Sequence, residues 1–226
     1  MTVEHNLLPR AMSLAVHELR TPVTVVAGYL RMLLREQAGP LNEKQKKMLE
    51  EADRSCARLG ALVAEMSELG QLSGGELALA RQDFDLAALA AELASTLHEA
   101  EDRGVSLEVR DTIPLVVTGD RPRIAAAVKA LMQSALRERI EPGVLIVRCS
   151  ARTESPGWAV LAIGDETTLG ELERGAASTA AGFDEWRGGL GLALPVARRV
   201  IEAHDGAVWS AIGTRAAAAL RLPLKR

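Results

Sequence analysis

The sequence predicts two kinds of structure in series, α then α+β: a helical hairpin followed by a layered domain of strands and helices. Three observations carry this. The first ~75 residues hold two long apolar stripes at helical spacing, broken once at Gly39-Pro40. Beyond them, short strand-like runs alternate with amphipathic helices. Only six of the 226 residues are aromatic, namely Tyr29, Phe84, Trp158, Phe183, Trp186 and Trp209. The core must therefore rest on Leu, Val, Ile and Ala, which favours helix packing over an all-β sandwich. The expected domains are residues 1–75 and 76–226.

In the first helix, apolar residues fall at Leu8, Met12, Ala15, Leu19, Val23, Val26, Leu30 and Leu33. The steps are fours and threes, a coiled-coil-like seam with one extra four near Pro22. Pro22 cannot donate to the Glu18 carbonyl, so a bend or loosened turn is expected there. After Gly39-Pro40, Asn42 and Gln45 have the spacing of a capping box. The second seam runs through Ala52, Ser55, Leu59, Leu62, Met66 and Leu69, widened by Leu49, Cys56 and Val63. Two helices of roughly 30 residues span ~45 Å each, and a lone pair leaves apolar surface wet. A second copy completing a four-helix bundle would cover it, so a homodimer is expected.

Residues 70–75, GQLSGG, read as a linker. Next come a helix over 85–102, strands over 105–109 and 115–118, and a helix over 123–137. Strands over 144–150 and 158–163 flank a Ser155-Pro156-Gly157 turn. Residues 170–188 give no regular signal. A helix over 190–203 and strands over 207–211 and 217–222 complete the pattern.

Composition excludes several functions. A net charge of −3, from 27 basic and 30 acidic residues, gives no reason to expect nucleic-acid or membrane binding. Cys56, Cys149 and the four histidines do not cluster, so neither a disulfide framework nor a Cys/His zinc site is expected. No run approaches the ~18 apolar residues of a membrane span, and the start lacks a secretory signal. A reducing cytoplasmic setting is the expectation.

Residues 13–22 read SLAVHELRTP. His17 falls between Ala15 and Leu19 on the seam and so points away from the bundle axis. A solvent-facing imidazole can accept a phosphoryl group on one ring nitrogen when a neighbour orients the other. Glu18 is adjacent, and Thr21 lies one turn on along the same face. A single exposed histidine is more often only a surface residue. The whole string changes that reading, because VHELRTPVTVVAGYLRML resembles the phosphoacceptor box of sensor histidine kinases. The resemblance implies a dimerisation and phosphotransfer hairpin with His17 phosphorylated. It further implies that Glu18 assists phosphotransfer and that Thr21 positions water to dephosphorylate the partner.

The remainder resembles the catalytic, ATP-binding domain of that family, which implies a Bergerat-type α/β sandwich. Residues 187–193, RGGLGLA, resemble its second glycine box; Gly189 and Gly191 match, and Arg187 replaces the first glycine. Such a turn entering a helix would set backbone N–H groups against phosphates. Asp165, in IGDETTL, matches the aspartate that reads the adenine amino group, but Thr167 and Leu169 replace the two glycines of that box. In the helix resembling the asparagine box the two asparagine positions read Ala130 and Ser134, while Arg137 keeps a basic residue. A serine hydroxyl is a shorter, poorer Mg²⁺ ligand than an amide oxygen. Phe183 could be a remnant of the lid's aromatic anchor, and His204-Asp205-Gly206 reads as a turn. ATP and Mg²⁺ are thus the implied cofactors, with weak binding expected.

The function implied is two-component signalling: a phosphoryl group carried on His17 passes to an aspartate of a response-regulator receiver domain. The alternatives are an ATP-independent phosphotransferase or phosphatase, and a pseudokinase scaffold.

Overall fold

The computed structural model describes residues 7–74, 78–98, 100–110, 113–152, 157–175, 182–186, 189–214 and 216–225, with side chains from residue 13 onward. Arg187, Gly188, Gly75, the Ser155-Pro156 turn and the side chains of Leu8 and Met12 lie outside the described residues. The chain divides into two compact units, Met1–Leu77 and Ala78–Arg226. Among the described residues no helix is long and apolar enough to cross a membrane.

The first unit is a hairpin of α1 (Leu7–Leu34) and α2 (Glu43–Gly74). The helix α1 is unbroken through Pro22. Gly39 takes φ 118° in the turn between the helices, a conformation open to glycine. The capping box forms as its spacing predicts: Asn42 N–H donates to Gln45 Oε1 and Gln45 N–H to Asn42 Oδ1, both at 2.9 Å. The seams shift. Val16, Cys56 and Val63 are buried, and Val23, Ala27, Leu30 and Leu34 are half-buried. The Cys56 thiol donates to the Val23 carbonyl at 3.5 Å. Ala15, Leu19, Val26, Ala52, Ser55 and Leu59 are exposed instead. Each helix thus carries two apolar strips, and the residues read as margins of the α2 seam form the hairpin's interior. The expected linker is also corrected: α2 continues through Gly70 to Gly74, with half-buried Leu69 and Leu72 holding the last turns.

The second unit contains β1 (Gln82–Asp85), α3 (Leu86–Ala94), β2 (Val105–Val109), β3 (Val116–Gly119), α4 (Arg121–Glu138), β4 (Gly143–Arg152), β5 (Trp158–Gly164), α5 (Glu166–Gly175), α6 (Ala193–Ala203), β6 (Ala207–Ser210) and β7 (Ala218–Pro223). Five strands form a sheet in the order β2-β4-β5-β7-β6, with β1 and β3 as a separate antiparallel pair. β2 runs parallel to β4; the other neighbours are antiparallel. The helix expected over 85–102 stops early, because the Ser95 and Thr96 hydroxyls donate to the Glu92 and Leu93 carbonyls, each at 2.8 Å.

α3, α4 and α6 pack together on one face of the sheet. The region expected to be irregular contains α5, which covers the other face. There Leu169 and Leu172 join Ile146, Val160, Ala162, Trp209, Ala217 and Ala219 in a closed cluster. β5 is buried along its length on both sides as a result. The Trp209 indole N–H donates to the Leu172 carbonyl at 2.9 Å, and Glu173 pairs with Arg148 at 3.6 Å. On the helical face, burial, with the Asp85 charge second, pushes the Cys149 thiol up to about 12, so it stays a neutral core group.

His204, expected in a turn, is a buried connector. Its Nδ1 faces the Val200 carbonyl at 2.7 Å, which fixes the proton there, and its Nε2 accepts the Asp120 N–H at 2.9 Å. Gly206 follows, and a Cβ there would stand 2.3 Å from the Arg221 carbonyl. Burial holds the His204 pKa below its usual value, with the Arg81 charge acting the same way and Asp120 and Asp205 opposing. The unfolded chain therefore binds a proton more readily than the fold does. Stability of the second unit is expected to be full above about pH 6.5 and to fall below it, by up to about 1.4 kcal/mol per pH unit. His204→Gln, which keeps an acceptor but cannot titrate, should flatten this slope. Denaturant unfolding between pH 7.5 and 5.5 decides it, and equal slopes for both proteins would remove His204 as the cause.

Candidate functional site

The first group of candidate residues lies on α1. Val16 turns into the hairpin and so directs His17 outward, where its side chain is 78% exposed. Glu18 Oε1 lies 3.5 Å from His17 Nδ1. A carboxylate on that side favours a proton on Nδ1, leaving the Nε2 lone pair toward solvent. Thr21 is exposed one turn on. Pro22 leaves the Glu18 carbonyl without its helical donor, and Thr24 Oγ1 donates to the Arg20 carbonyl at 2.8 Å. The three residues are thus brought together on the open side of α1.

The second group sits around the C-terminal end of α4. Arg137 donates to the Gly189 carbonyl at 3.3 Å, joining α4 to the glycine turn. Gly189 and Gly191 take φ of 59° and 63°, which accounts for glycine at both positions. Ser134 is fully buried, and among the described residues its hydroxyl has no hydrogen-bond partner. Asp165 stands before α5 as its cap. Its Oδ1 accepts from the backbone N–H of Thr167 and Thr168 at 3.1 and 3.0 Å. The Thr167 hydroxyl donates to the same oxygen at 2.6 Å, and the Thr168 hydroxyl lies 3.0 Å from it. Asp165 Oδ2 pairs with Arg139 Nη1 at 2.7 Å. Thr167 first, then Arg139 and Thr168, hold the carboxyl well below the usual range against the opposing effect of burial.

With these elements in place, residues 10–75 match the family model of the His Kinase A phospho-acceptor domain. Over those residues the chain carries a phospho-acceptor domain, and as a whole it is similar to the cores of sensor histidine kinases. It is 28% identical over 202 residues to the circadian input-output histidine kinase CikA of Synechococcus elongatus, covering 84% of this chain and 26% of that protein. It is 30% identical over 217 residues to the sensor-like histidine kinase SenX3 of Mycobacterium tuberculosis, covering 92% and 52%. The core thus spans between a quarter and about half of these relatives. The architecture is that of the Acinetobacter baumannii histidine kinase AdeS, with a TM-score of 0.60 at 22% identity, covering 93% of this chain and 98% of that one. Full-length ShkA, solved in complex with AMPPNP, matches with a TM-score of 0.71 at 19% identity over 96% of this chain and 46% of that one.

An adenine nucleotide with Mg²⁺ does not fit the second group as this core arranges it. The carboxylate that would read the adenine amine has both oxygens engaged. Ser134, which the resemblance sets at the metal position, is closed off from solvent. Of the residues responsible, Arg139 and Thr168 are not marked by the sequence, and Thr167 is marked there only as the replacement of a glycine. A signal was present: Asp165 followed by Thr167 and Thr168 has the composition of a helix start.

Thr168→Val should lower the stability of the second unit by ~1–2 kcal/mol, because its hydroxyl also accepts the Asp165 N–H at 3.0 Å. Thermal unfolding followed by circular dichroism measures this. An unchanged transition would show that the cap does not hold α5.

Proposed function

We propose that this chain works as a homodimeric phosphotransfer protein of a two-component system, carrying a phosphoryl group on His17 and passing it to a response-regulator aspartate. The observation that carries the reading is the exposed imidazole oriented by Glu18 within a phospho-acceptor hairpin. Nε2 attacks phosphorus as the bond to the donor's oxygen breaks. In the second transfer an aspartate oxygen attacks, and the N–P bond breaks to return neutral imidazole. Glu18 holds the Nδ1 proton throughout, stabilising the charge that phosphorylation places on the ring.

The domain roles follow: residues 1–75 dimerise and carry phosphate, and residues 76–226 form the nucleotide-binding-like part. The outer strip of the hairpin, with Leu19, Val26, Tyr29 and Leu59 exposed, is the surface for the second copy. Cys56 and Cys149 are both free and buried, which suits a reducing cytoplasm. Binding of Mg-ATP is weak in this reading. The engaged Asp165 favours a second role that needs no nucleotide, in which Thr21 holds a water in line with an aspartyl phosphate docked on the hairpin.

His17→Gln should abolish phosphoryl uptake while leaving the helical circular dichroism signal unchanged, since the side chain fills no interior space. Radiolabel from a phosphorylated receiver domain, or from ATP, reads it. Uptake at the wild-type rate would remove His17 as the acceptor. Thr21→Ala should slow decay of the phosphorylated receiver severalfold and spare uptake by His17. Equal decay would reduce Thr21 to a helix residue before Pro22.

A further inference from the structure

The ion pair at the end of α4 has a consequence for what the second unit can bind. Four donor contacts converge on Asp165 Oδ1, so that oxygen is filled by α5 itself. Oδ2 faces Arg139 Nη1 at 2.7 Å. A neutral exocyclic amine seeking this carboxylate would have to share or displace a cationic donor, whose attraction to the ionised oxygen exceeds that of a neutral N–H.

Arg139 is itself held in place. Its backbone N–H closes α4 on the Ala135 carbonyl at 3.1 Å, and its Nε donates to the Glu141 carbonyl at 3.2 Å. The far side of the pair is equally fixed. Leu169 and Leu172 are buried against the sheet, Arg110 pairs with Glu166 at 3.1 Å, and Arg152 donates to the Glu173 carbonyl at 2.6 Å. The carboxylate cannot turn outward without uncapping a helix that covers one face of the sheet.

We propose that Arg139 is a resident cationic partner occupying the place of an adenine amine at Asp165, so that the second unit excludes adenine nucleotides while this ion pair stands. The inference shares with the function proposed above the histidine kinase fold and the engaged Asp165, but not the role of His17. Its test reads nucleotide binding by the second unit, not phosphate on His17, so either can fail without the other.

The probe is ADP with Mg²⁺, titrated calorimetrically into the full chain. The wild-type chain is expected to give no saturable heat below about 1 mM. Arg139→Ala frees Oδ2 while leaving the cap at Oδ1, and should bind at least about tenfold tighter than wild type. Arg139→Lys, which keeps a cation, should retain the exclusion, and adding Asp165→Asn to Arg139→Ala should cancel the gain. Should Arg139→Ala lose its helical signal, Arg139→Gln is read in the same way. Two results overturn the proposal: wild-type binding that Asp165→Asn weakens, or a folded Arg139→Ala or Arg139→Gln variant that binds no better than wild type.

Discussion

The second unit depends on one constraint: β5 is apolar on both faces, and neither face can be left to water. α3, α4 and α6 satisfy one side. The other requires Leu169 and Leu172, which reach it only if residues 166–175 are helical. A helix starting there needs its first N–H groups satisfied, and Asp165 is the residue in position to do it. Replacing the glycines by Thr167 and Leu169 is then a coherent change. One threonine supplies cap donors and the leucine supplies core. The residues that depart from the family's glycine box are thus the same residues that cap and pack α5.

The hairpin answers to a different constraint. Each helix carries more apolar surface than one partner can cover, so the chain sorts it into an inner line through Val16, Val23 and Leu30 and an outer line through Leu19 and Val26. His17 follows the buried Val16 directly, which points the imidazole outward, and Glu18 lies against its Nδ1. The proposed phosphoryl acceptor is aimed by its neighbour's burial.

Much of this was legible in the sequence. The hairpin, the capping box at Asn42 and Gln45, α4 and six of the seven strands follow from periodicity and turn chemistry alone. The string VHELRTP singled out His17, Glu18 and Thr21, and all three are exposed on α1. What failed did so for physical reasons. A single seam was drawn where two exist, because 3.6-residue periodicity marks a face as apolar without saying which neighbour covers it. β1, reading Gln-Asp-Phe-Asp, is too short and polar to signal a strand; its place is set by pairing with β3 and by the ion pair of Asp83 with Lys225. α5 was hidden because its ten residues invited comparison with a glycine loop, while the two buried leucines that define it need the sheet to be seen. Arg139 is invisible in one dimension, 26 residues from Asp165.

Strand order also governs how the second unit is assembled. β7 lies between β5 and β6, so β6 has no partner in the sheet until Ala218–Pro223 is in place. Trp209, on β6, shares that delay, and so does the closed layer around α5. The hairpin, built from contacts between two adjacent helices, has no such wait. During synthesis it can fold while the sheet is still an open set of edges, which makes the interval before β7 emerges the most exposed stage in the life of the molecule.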